Sequence, residues 1–129
     1  MTVTDVAIVS VAGGMGCMLR VLARDALLRR GAHPWWSTCL VNLSGAAAMG
    51  AAGALASRSS AVPHWPSIAF AGLLGGWTTY SAFAMDVVQL WIRGSRRVAA
   101  TLWAITLLGT PVAAAGGAAA LRALSGAAP

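Results

Sequence analysis

Four long apolar runs constrain this chain more than any other feature of it. They cover residues 6–28, 38–56, 67–92 and 98–121, with short polar gaps between them. Crossing hydrocarbon as a helix takes roughly 20 apolar residues, and every backbone N–H and C=O inside the span must be paired within the segment. The expected fold is therefore all-α and integral to a membrane, a single four-span unit over residues 1–129. Composition argues against a soluble alternative. Hydrophobic residues make up 58% of the chain and charged ones 9%, too few to clothe a soluble domain of 129 residues. No basic segment precedes the first run and no small-residue cleavage site follows it, so it reads as a retained span and not as a signal peptide.

All nine cationic side chains are arginine, against three aspartates, for a net charge of +6. They form no basic stripe of the kind that binds nucleic acid, and nucleic acid is not an expected partner. Most sit in the gaps between runs, where charge sets membrane orientation. Arg24, Arg29, Arg30, Arg93, Arg96 and Arg97 fall on the side of the first and third loops. Arg58 and Arg122 fall on the other. The positive-inside rule then places both termini outside the cytoplasm. Cys17 and Cys39 lie inside apolar runs, far from metal-ligand spacing, and read as small buried hydrophobes.

The third run is interrupted in its middle by Gly72-Leu73-Leu74-Gly75-Gly76-Trp77-Thr78-Thr79-Tyr80-Ser81-Ala82-Phe83. Loosened backbone at that depth survives only where it packs on protein or lines a cavity, so such a break points to the working site. Thr78, Thr79 and Ser81 read either as hydroxyls bonded back to their own helix or as the polar lining of the break. Carbonyls freed there can bind a cation. Tyr80 and Phe83 share a face if helix resumes, for packing or for presenting positively polarised ring edges to an anion.

Three further polar residues sit in the runs. Arg20 is either a snorkelling arginine or a positive guard of a water-filled vestibule. Asn42 offers an interhelical hydrogen bond or an uncharged donor to an anion. Asp86 suits pairing with a loop arginine better than proton coupling. In the fourth run, Gly109-Thr110-Pro111 reads as an interruption.

These segments resemble one known family. Gly13-Gly14-Met15-Gly16 through Arg20 is similar to its G-G-x-x-G-x-x-x-R opening, with one position of spacing slack. Val41-Asn42-Leu43-Ser44-Gly45 resembles its V-N-x-x-G span, and residues 72–83 resemble its G-x-x-G-G-x-T-T-F-S-T-F signature. The family is that of fluoride-specific ion channels, also called Fluc or CrcB. The resemblance implies a transport protein and not an enzyme: a multi-pass inner or plasma membrane channel that passively exports fluoride taken up as HF, conferring fluoride resistance. It implies four transmembrane helices with a break in the third, assembled as an antiparallel, dual-topology dimer with two pores. By residue, it implies a pore of Asn42, Tyr80, Phe83, Ser81 and Thr106, with Arg20 in the vestibule. It also implies a structural sodium ion (Na+) at the dimer centre, on the backbone carbonyls of Gly75 and Thr78.

Departures from the pattern matter as well. The family run T-F-S-T-F-S reads Thr79-Tyr80-Ser81-Ala82-Phe83-Ala84, so two hydroxyls are lost and one ring gains one. The lopsided arginines also raise a heterodimer with a homologous subunit of reversed orientation, in which alone this subunit would be active. A small proton-coupled multidrug exporter is the alternative class, but it wants a carboxylate in the first span, and residues 6–19 contain none.

Overall fold

The computed structural model describes residues 1–57 and 64–126. Arg58, placed above on the side opposite the first and third loops, lies outside the described residues. Among those described, all regular structure is helical. The helices are α1 (Val3–Arg29), α2 (Pro34–Ala56), α3 (His64–Trp77), α4 (Tyr80–Ile92) and α5 (Arg96–Leu124).

Local chemistry sets the helix ends. Thr2 and Asp5 form a reciprocal capping box on α1, with Thr2 N–H donating to Asp5 Oδ2 at 2.8 Å and Asp5 N–H to Thr2 Oγ1 at 3.2 Å. Pro34 opens α2 at a position where its missing N–H costs nothing. Gly94, at φ 82°, makes the tight turn between α4 and α5 that a side chain would strain.

Helices α1, α2 and α5 are each long and apolar enough to cross a membrane. With 14 and 13 residues, α3 and α4 are each too short to do so alone. Thr78 and Thr79 separate them.

Two parallel pairs build the bundle, and both depend on missing side chains. In α1–α3, a Cβ on Gly16 would collide with the Leu73 carbonyl, and one on Gly76 with that of Gly13. In α2–α5, Gly50 faces the Ala114 carbonyl and Gly117 that of Ala47, with the same consequence. In lipid no hydrophobic force draws helices together, so such close backbone contact carries the association. Where α4 packs on the α2–α5 pair, Cys39, Phe83 and Leu102 form a small buried core flanked by Trp35, Leu43, Val87, Leu90 and Ile105.

Three expectations are corrected. Helix α5 runs unbroken through Pro111. Proline removes one N–H from the ladder, and neighbouring helices and hydroxyls let membrane helices tolerate that; the Thr110 hydroxyl donates to the Thr106 carbonyl at 2.8 Å beside it. Cys17 is exposed on the surface of the chain, whereas Cys39 is buried. Asp86 is buried but forms no ion pair among the described residues, and its Oδ2 has no hydrogen-bond partner. Arg93, seven residues on and two turns along the same face, borders the same cavity as Asp86 without closing an ion pair.

Candidate anion path at the Thr78–Thr79 junction

The helical ladder ends in a specific exchange of partners. Thr78 N–H still donates to the Leu74 carbonyl at 3.0 Å, as does the Thr78 hydroxyl at 3.1 Å. Thr79 turns extended, at φ −151° and ψ 116°. Its N–H donates to Asn42 Oδ1 at 2.8 Å, and its carbonyl accepts from Asn42 Nδ2 at 3.1 Å. The two bonds also fix the amide's orientation, since the reverse would set donor against donor. A continued helix would have sent the Thr79 N–H to the Gly75 carbonyl, so that oxygen loses its i+4 donor.

Neighbouring side chains hold the junction in place. Trp77 Nε1 donates to the Val41 carbonyl at 2.9 Å and Ser44 Oγ at 3.1 Å, tying the end of α3 to α2. Gly45, almost one turn beyond Asn42, lets α2 approach Trp77 and Thr78 where a Cβ would touch both. Thr79 also caps α4: its Oγ1 accepts from Ala82 N–H at 3.3 Å and lies 3.3 Å from Ser81 Oγ. Thus the V-N-x-x-G segment and the T-T pair form one structural unit.

Two open cavities meet at Thr79. One, of about 370 Å³, is lined by Arg20, Arg24, Thr38, Val41, Thr79, Ser81 and Ala82 among others. The second, of about 300 Å³, is lined by Asn42, Ala46, Thr78, Thr79, Tyr80, Phe83, Thr106, Leu107 and Thr110. The expected residues thus divide, with Arg20 and Ser81 on one side of the junction and Asn42, Tyr80, Phe83, Thr106 and Thr78 on the other. Gly75 lines neither cavity.

The donors differ in availability. Asn42 commits one of its two amide hydrogens to Thr79, leaving one. The Thr106 hydroxyl has only a long contact, 3.9 Å, with Cys39 Sγ. Tyr80 and Phe83 lie with ring centroids 5.8 Å apart and planes tilted by 56°. Phe83 is buried at 4% exposure while Tyr80 is 77% exposed, so only one ring is fixed by this chain's own core. Arg20 Nη1 reaches the Thr78 carbonyl at 3.5 Å, the outer limit of a hydrogen bond.

Two further residues, to which the sequence assigned no role at this site, line these cavities. Arg24, one turn beyond Arg20, lines the first cavity with its Nε buried and unpartnered; the i, i+4 spacing was the available signal. Thr110 repeats that relation to Thr106 in the second.

Comparison with known proteins adds a separate line of support. Residues 7–118 match the family described as CrcB-like protein, Camphor Resistance (CrcB). The chain is 42% identical over 100 residues to "Fluoride-specific ion channel FluC 2" of Nitrobacter hamburgensis, covering 76% of this chain and 80% of that protein. It is 35% identical over 121 residues to "Fluoride-specific ion channel FluC" of Rhizobium leguminosarum bv. trifolii, covering 92% and 96% respectively.

Proposed function

This chain belongs to the CrcB family, and on that premise we propose that it is a fluoride channel, not an enzyme, through which the ion leaves the cytoplasm down its gradient. The observation that carries the reading is the meeting of two cavities, each with a few polar side chains set in a mainly apolar wall, at a residue whose backbone Asn42 holds.

Fluoride is small and strongly hydrated, so a selective path must replace its water with well-placed donors. Arg20 and Arg24 raise the local anion concentration in the first cavity by long-range attraction. Ser81 and Thr79 supply hydroxyls where the cavities meet. Beyond them the free N–H of Asn42, the ring edges of Tyr80 and Phe83, and the Thr106 hydroxyl offer partial positive charge without a full cation. That difference matters, because a guanidinium in the narrow part would hold the ion too tightly for conduction.

We read α3 and α4 as two halves of one interrupted span, which gives four crossings. The second cavity is open on one side, with Tyr80 on its exposed wall. An antiparallel second subunit would close it and supply the missing wall.

A structural sodium ion at the centre of such a dimer fits the donors available. The Gly75 carbonyl has lost its helical donor, and neutral backbone oxygens at an unwound turn suit a hard monovalent cation. One chain offers Gly75 and Thr78, so the remaining ligands would come from the second subunit. Sodium there would offset part of the anion repulsion in a dry bundle. The Thr78 carbonyl, now within reach of Arg20, would have to turn from that arginine to join the site.

A second reading, the heterodimer, is favoured by the lopsided placement of arginine. Six arginines lie in the last two turns of α1, just after it, or around the α4–α5 turn, which disfavours insertion of one sequence both ways. Fluoride release from liposomes, followed with an ion-selective electrode and chloride as control, tests both. The channel predicts passive fluoride release without chloride release. Activity only on mixing with a homologue of reversed charge bias would select the heterodimer. Equal chloride release, or proton-driven cation transport without fluoride flux, would overturn the proposal.

A further inference from the structure

We propose that the arginine-rich end of the bundle is a docking surface for anionic phospholipid headgroups. Four helix ends meet there: the C-termini of α1 and α4 and the N-termini of α2 and α5. Arg30, Arg93, Arg96 and Arg97 are exposed at that end, and none of the four has an ion-pair partner among the described residues. The two carboxylates nearby do not neutralise them. Asp25 is taken by Arg29 at 2.8 Å, and Asp86, buried in a cavity that Arg93 also borders, forms no ion pair among the described residues.

Apolar side chains beside these cations select a lipid over a free anion or an acidic peptide. Trp91 and Ile92 close α4 at 54% and 78% exposure, one turn from the arginines. The Arg96 guanidinium lies 5.4 Å from the Trp91 ring centroid. That contact holds the cation against an aromatic ring of the kind that settles at the membrane interface. A phospholipid can place its phosphate on the guanidinium groups and its upper acyl carbons on Trp91 and Ile92 at once. A soluble anion engages only the first of these.

Each arginine near an anionic lipid surface raises association by up to about fivefold. The test is the preference of the reconstituted full chain for spin-labelled phosphatidylglycerol over spin-labelled phosphatidylcholine, read by electron spin resonance. The native chain should favour phosphatidylglycerol severalfold, and added salt should erode that preference. The triple variant Arg93→Gln, Arg96→Gln, Arg97→Gln should bring the ratio close to one, while the corresponding three Lys substitutions retain most of it. Arg122→Gln, at the opposite end, should leave it unchanged. If the triple glutamine variant does not fold, Arg97→Gln alone should lose a proportionate part. Equal preference in the native chain, a preference that survives the glutamine substitutions, or full displacement of the lipid by inorganic phosphate would each overturn the proposal.

Discussion

Replacing Asn42 by leucine tests whether the path is built around its grip on the backbone. The two side chains share a γ-branched shape of four heavy atoms, with leucine the bulkier, so the site keeps an apolar filling while two hydrogen bonds, of 2.8 and 3.1 Å, disappear. A buried backbone group left unpaired costs about 1–3 kcal/mol. Thr79 is only half-buried and borders both cavities, so water can take up part of the loss. The expected destabilisation is then about 2–3 kcal/mol for the pair, near the lower end for each group. Freed from Asn42, the Thr79 N–H can return to the Gly75 carbonyl and continue the helix through the junction. Thermal unfolding in detergent should register the loss, and fluoride efflux from liposomes should fall to background. Asn42→Asp separates geometry from charge. It keeps an acceptor for the Thr79 N–H but sets a second oxygen against the Thr79 carbonyl, and it adds negative charge to an anion path. It should also abolish flux. If Asn42→Leu unfolded at the native temperature and conducted normally, the backbone grip would have no part in the path.

Other substitutions separate the remaining roles. Gly76→Val drives a side chain into the Gly13 carbonyl and should abolish monodisperse protein on size-exclusion chromatography, whereas Gly75→Ala, with open space at its Cβ, should leave the isolated subunit folded. Tyr80→Phe keeps the ring edge and should leave fluoride flux within about threefold of native; Tyr80→Ile removes it and should cost on the order of tenfold, equivalent to about 1.4 kcal/mol. Arg20→Gln should reduce flux more at low salt than at high salt, because screening weakens anion attraction by the vestibule. Thr79→Ala removes the α4 cap and should cost about 1 kcal/mol in thermal unfolding.

Much of this architecture is legible in the sequence because the bilayer restricts the alternatives. Apolar run length marks the helices α1, α2 and α5, and the cluster of Gly75, Gly76, Thr78 and Thr79 marks where α3 ends and α4 begins. Asn42 stands out because an amide in a span needs a partner. Its choice of the Thr79 backbone is set by the register between α2 and α3, which depends on Gly45 and on the Trp77 indole, and no single segment reveals it. The fate of Asp86 was illegible for a related reason. Charge composition suggested an arginine partner, and Arg93 two turns on does border the same cavity, but whether the side chains close into a pair depends on rotamers that the sequence does not show. Pro111 misled in the opposite direction, since a rule drawn from helices in water overstates what one missing N–H does in a packed membrane helix.

The exposure of Tyr80 and the burial of Phe83 bear directly on assembly. Exposed Val11, Met15, Met18 and Leu22 on α1 are apolar and can face lipid without cost. The second cavity differs, because one amide hydrogen of Asn42 and the Thr106 hydroxyl have no firm partner there, whereas Thr78, Thr79 and Thr110 are bonded within the chain; a polar group left unpaired toward hydrocarbon costs a few kcal/mol. A second subunit of the kind proposed above would cover those two donors. Cross-linking a cysteine introduced at Leu107, beside that cavity, gives the check. Covalent dimers that form in membranes and retain fluoride flux fit a paired pore, while a conducting monomer in which Leu107 is accessible only to lipid-soluble reagents would remove the need for a partner.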